Sequence, residues 1–181
     1  MFVSKIKREE GQAIVEFAIV IPFFILLLMA IMELGWISYQ TNLFNYGYSH
    51  AAWDVTAEAL GEEKPYEVKD KVSEYKGAKV DTLIADTIEQ GALWGFDKSK
   101  LSVQNASAKM YSKDSIFMVP GKDPSLRVEA TTVTRYMEIN AKLRYEIKPL
   151  TGIGSTFFSK MLVLEKDLNS LRTVGALKRS E

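Results

Sequence analysis

Gly11-Gln12-Ala13-Ile14-Val15-Glu16-Phe17-Ala18 opens an apolar run that continues to Met32, and the reading of this stretch decides how the rest of the chain is held. Residues 17–32 contain no charge and no hydroxyl. As a helix rising about 1.5 Å per residue, 12–32 reaches roughly 30 Å, the thickness of a bilayer's hydrocarbon core. Lys5, Lys7 and Arg8 precede it, so the positive-inside rule keeps residues 1–11 cytoplasmic and places the remainder outside. Glu9 and Glu10 count little in that rule. The run closes in Met32-Glu33-Leu34-Gly35-Trp36 with no small-x-small site, so ordinary signal cleavage is not expected. A plain signal anchor is the simplest reading of hydropathy alone.

Glu16 adds something hydropathy does not. An acidic residue in an apolar helix costs about 2.5 to 3.5 kcal/mol at mid-membrane and less near the interface. In one reading its carboxylate simply reaches the headgroups. The functional reading needs a cation nearby, and a cut after Gly11 supplies one: the new amine of Gln12, four positions before Glu16. Amine and carboxylate then neutralise each other within a subunit or between neighbours.

These residues resemble the N-terminus of type IV pilin-like proteins, in which a prepilin peptidase cuts after a glycine and a glutamate stands fifth in the mature chain. The run from Gly11 to Ala18, with Pro22 in the apolar stretch behind it, is similar to the TadE-like family of tight-adherence (Flp, type IVc) pilus systems. Gln12 stands where other type IV pilins carry phenylalanine. The resemblance covers the first quarter of the chain strongly and the last quarter weakly. It implies a minor pilin or pseudopilin with Gly11 and Gln12 as the processing site and Glu16, Phe17 and Pro22 in assembly. The implied partners are a prepilin peptidase, other pilin or pseudopilin subunits, an inner-membrane assembly platform and the lipid bilayer. The implied place is the cytoplasmic membrane of a bacterium or archaeon, single-pass with the head outside, or an extracellular pilus.

Beyond the membrane segment the expected architecture is α+β, a long helix packed on a small antiparallel sheet as in pilins. Pro22 lacks an NH and crowds the carbonyl four residues back, so the helix is expected to bend near Ala18. Past Glu33, residues Trp36, Tyr39, Leu43, Tyr46, His50, Trp53, Ala57 and Leu60 recur in steps of three and four, one helix face. The helix is expected to run to Leu60 with Trp36, Tyr39, Leu43, Tyr46 and Trp53 packed on the head. The division is therefore 1–11 leader, 12–32 membrane helix, 33–60 exposed continuation and 61–181 head. Gly61 ends the helix and Pro65 opens a second one carrying Val68, Val72 and Tyr75 on one face. A third is expected over 79–90, then a loop around Trp94 bracketed by Gly91 and Gly95.

From Leu101 the period shifts to two, with Leu101, Val103 and Asn105 on one face of a strand reaching Met110-Tyr111. Residues 113–124 read as loop, with a turn at Gly121-Lys122-Asp123-Pro124. Ile139, Ala141, Leu143, Tyr145 and Ile147 alternate with polar residues, a half-buried strand that 128–133 begins, with an irregularity near Tyr136 and Met137. Pro149 ends it, Gly152 and Gly154 turn the chain, and Leu162, Leu164 and Leu168 start a return strand closing near Leu171-Arg172. The tail from Lys178 reads as frayed.

The 23 Lys plus Arg balance 23 Asp plus Glu, which leaves no basic field for nucleic acid. With no cysteine there is no disulfide, thiolate metal site or cysteine nucleophile. The single histidine, His50, stands at helical spacing from Asp54 as one edge of a metal site, and nothing marks further ligands. Glu62-Glu63 and Asp123 lack the spacing of a calcium loop and read as solvated loop charge. No phosphate-cradling or nucleophile motif appears, so no enzyme activity and no cofactor are expected. The competing function is a membrane-anchored extracellular binding module that never enters a pilus.

Overall fold

The computed structural model describes residues 3–62, 72–120 and 127–179. Helix α1 (Val3–Asp54) stays helical through Pro22. It stops short of the expected Leu60 because Thr56 turns extended and caps a new short helix, α2 (Ala57–Leu60), its hydroxyl accepting from the Ala59 NH at 3.3 Å. Gly61 then closes α2 in the left-handed region, as expected.

Four strands form one sheet in the order β1-β2-β3-β4, and the fold class is α+β. Strand β1 (Ser73–Lys76) replaces the helix expected to carry Val72 and Tyr75, because it pairs antiparallel with Met110 to Ser107 and half-buries alternate residues. Pro65 and Val68 lie outside the described residues. Helix α3 (Ala78–Gly91) matches the one expected over 79–90 and buries Val80, Ile84 and Ile88.

Strands β2 (Leu101–Pro120) and β3 (Arg127–Glu146) form a hairpin far longer than the sequence suggested. Residues 113–120 are strand rather than loop, since Lys113 to Pro120 face Thr134 back to Arg127 in unbroken register. The irregularity expected at Tyr136 and Met137 sits instead in β2, where Gln104 and Ser107 face Lys142 and Asn140. One extra residue is accommodated there, with Asn105 at φ 53°, a left-handed conformation that Asn tolerates. The bulge reverses the alternation: in place of Asn105, it is Ala106, Ala108 and Met110 that are buried. The turn expected at Gly121 to Pro124 lies outside the described residues.

The chain divides into two compact units, Met1–Gln40 with Ile147–Val163, and Thr41–Glu146 with Leu164–Glu181. In the first, α4 (Gly152–Phe157) forms where a simple glycine turn was expected, and the Ile147 NH donates to the Leu162 carbonyl at 2.7 Å. Strand β4 (Val163–Arg179) runs well past Leu171-Arg172 and includes Lys178, expected to fray. In the second unit Val133, Met137, Ile139, Ala141, Leu143 and Tyr145 point inward along β3. The Tyr145 ring stacks on Phe44 at 5.6 Å and on Phe96 at 4.7 Å between centroids. Gly47 lets α1 meet α3, since a Cβ there would lie 2.6 Å from the Ile88 carbonyl oxygen.

Arg135 occupies an inward position of β3 between Val133 and Met137 and is fully buried. Glu62, expected as a solvated loop charge, is buried with it, one carboxylate oxygen 3.5 Å from the Arg135 guanidinium and the other accepting from the Tyr75 hydroxyl at 2.6 Å. That hydrogen bond, with burial and the neighbouring negative charge, raises the Tyr75 pKa above its ordinary value.

Candidate processing and assembly site

Helical geometry places residues four apart on one face, and this spacing brings Gln12 to Glu16. The Gln12 side-chain amide donates to a Glu16 carboxylate oxygen at 2.9 Å, with both residues exposed. An uncharged amide thus occupies one oxygen of the carboxylate. Gly11 lies inside α1. A glycine in a helix interior weakens it by about 0.5–1 kcal/mol relative to alanine, which favours local opening of the backbone there.

Past Glu16, the apolar side chains lie bare. Phe17 is 68% exposed and Phe23 69%, and from Ile14 the helix is long and apolar enough to cross a membrane. Such a surface needs lipid or other apolar helices around it. Pro22 sits within this stretch.

The membrane end of the helix is pinned by a residue the sequence reading did not single out. Glu33 is fully buried, and its carboxylate accepts from the Leu150 NH at 2.9 Å and from the Thr151 NH and hydroxyl at 2.8 Å each. Trp36, one turn on, donates its indole NH to the Lys148 carbonyl at 2.9 Å. Burial pushes the Glu33 pKa up, but the Thr151 hydroxyl and the two backbone NH groups outweigh it and hold the pKa below its ordinary value. Gly154 is required beside it, because a Cβ there would fall 2.2 Å from the Glu33 carboxylate. The only sequence signal was a glutamate directly behind Met32, which hydropathy treats as the end of a span.

The expected packing stripe of α1 is displaced. Leu43 is buried, but Tyr39 is 39% exposed, Tyr46 55% and Trp53 73%. Among the described residues of α1 the other buried positions are Glu33, Ile37, Gln40, Phe44, Gly47 and Ala51, one residue out of phase with the aromatic pattern. Small side chains at 47 and 51 allow the close approach that large rings prevent. On the outward side, the His50 Nδ1 lies 2.5 Å from an Asp54 carboxylate oxygen. Among the described residues no group of three His, Cys, Asp or Glu is placed to hold a metal ion.

Residues 11–53 match the family model described as TadE-like protein. No curated protein and no solved structure matches the chain. The match begins at Gly11, takes in Glu16 and Pro22, and ends at Trp53, one residue before α1 stops. Residues 11–53 are thus similar to TadE-like proteins, a family associated with the tight-adherence pilus.

Proposed function

We propose that the chain is a minor pilin or pseudopilin of a tight-adherence (Flp, type IVc) pilus, cut after Gly11 by a prepilin peptidase and assembled through Glu16. Residues 12–32 hold it in the cytoplasmic membrane with residues 1–11 inside and the α+β head outside. It then joins other pilin subunits at the assembly platform. The observation that carries this reading is the placement of Glu16 one helical turn from Gln12 at the head of a bare apolar helix. In lipid or in a bundle of apolar helices an uncompensated carboxylate is costly, so a neighbour's Gln12 amine is favoured as its partner. The role is structural, with no catalytic chemistry and no cofactor.

The test is a Glu16→Ala variant expressed in the host. Membrane insertion is expected to be unchanged and surface pili to be lost. Normal piliation by that variant would remove the assembly role of the carboxylate.

A further inference from the structure

We propose that the connection between β3 and β4 is a second membrane contact, seating Leu150, Phe157 and Met161 at the headgroup–acyl boundary of the bilayer that α1 crosses. All three belong to the first unit, together with the apolar part of α1. Leu150 is 52% exposed, Phe157 75% and Met161 52%. No charge falls in 149–159 to hold these bare side chains in water. Lys148 and Lys160 stand at the two ends of that stretch, both exposed. Long cationic side chains in such places reach phosphates while their stems lie against lipid.

Two pins on α1 set the height of the connection. The Trp36 indole NH donates to the Lys148 carbonyl, and Glu33 accepts from Leu150 and Thr151. The chain therefore runs back along α1, from the level of Trp36 to that of Glu33, towards the apolar segment that ends at Met32. Glu33 follows Met32 directly, a step of about 1.5 Å along the helix. Helix α4 turns at this level, with Gly154 flush against the Glu33 carboxylate, and the chain leaves again where the Leu162 carbonyl accepts from the Ile147 NH. Leu150 thus stands where the bare surface of Ile31 and Met32 ends.

The polar groups of the turn suit a place poor in water. Glu33 takes up the Leu150 NH and both the NH and the hydroxyl of Thr151. The Ser155 and Thr156 hydroxyls both donate to the Gly152 carbonyl, at 3.0 and 2.9 Å, and the Phe158 NH donates to the Gly154 carbonyl at 3.0 Å. Groups already paired lose little when lipid replaces water, whereas bare donors would be costly there. A bilayer is favoured over a second protein because the apolar surface of α1 already calls for one up to Met32, and the side chains of the turn continue that surface.

This contact rests on the membrane anchoring of α1 and not on cleavage or entry into a pilus, so the test uses the full chain reconstituted in phospholipid vesicles. With no native cysteine, one introduced thiol at a time carries a nitrobenzoxadiazole dye. The sites are Phe157→Cys in the turn, Leu26→Cys in the apolar segment, and Ser38→Cys, exposed on α1 about 9 Å past Met32. Iodide on both sides of the membrane is expected to quench the dye at 157 about fivefold less than at 38, and lipids brominated near the headgroup end of their acyl chains to quench it more. Adding Leu150→Asp and Met161→Asp is expected to remove both differences. A dye at 26 open to iodide would contradict the anchoring itself, and the contact with it. A protected dye at 26 beside one at 157 as open as at 38 would overturn the contact alone. So would protection at 157 that vanishes when the protein is diluted about tenfold in lipid, since that assigns the patch to a second copy.

Discussion

Two glutamates of α1, seventeen residues apart in sequence, are treated in opposite ways. Among the described residues Glu33 is buried and accepts three hydrogen bonds from Leu150 and Thr151, while Glu16 is exposed and accepts one, from the Gln12 amide. A carboxylate offers about four acceptor positions, so Glu33 is nearly complete within its own chain and Glu16 is not. The first holds a fold together. The second is exposed, as the proposed assembly contact requires.

The largest expected effect separates these roles. Glu16→Ala should abolish pili yet leave hydrogen exchange in the β2–β3 hairpin unchanged, whereas Glu33→Ala should disturb the fold first. In Glu33→Ala the Leu150 and Thr151 donors lose their acceptor inside the protein, a loss of about 1–3 kcal/mol for each buried group left unpaired. Amide exchange at 150 and 151 in detergent-solubilised protein should rise about tenfold or more. Unchanged exchange there would mean that Glu33 is not the pin. Gly154→Ala should act in the same direction with a smaller effect, of the order of 1–3 kcal/mol, because the new methyl collides with the same carboxylate.

A pH series sharpens the contrast further. Glu33 has a folded pKa below the ordinary 4.5, so its stabilisation is complete above that value and is lost as pH falls through the lower folded value. Protection of the 150 and 151 amides should therefore hold from neutral pH to about pH 5 and decline in acid. Glu33→Gln should show no such decline. The smallest effect is expected from Gln12→Ala, which removes one exposed i,i+4 hydrogen bond worth about 0.2–0.5 kcal/mol. Its melting curve should overlay that of the parent.

Much of this was legible in the sequence wherever a feature is local. The Gly11 to Glu16 spacing, the apolar run, α3 and the alternation of Ile139 to Tyr145 are all written within a few residues. What escaped depended on distant partners. Lys113 to Ser115 reads as loop until Thr132 to Thr134 lie opposite, and Glu62 reads as a solvated loop charge until Arg135 meets it from 73 residues away. Periodicity found the correct helix but not its buried side, because ring size drew attention to Tyr46 and Trp53 while Gly47 and Ala51 allowed the close contact. The Asn105 bulge was hidden for a related reason: one extra residue moves every later side chain to the other face.

The central claim is that Glu16 is set aside for an amine that exists only after cleavage at Gly11. It is tested most directly by intact-mass measurement of the chain purified from membranes of its own host. The mature chain is expected to have lost residues 1–11 and to begin at Gln12. A chain that keeps Met1 through Gly11 in piliated cells would contradict it.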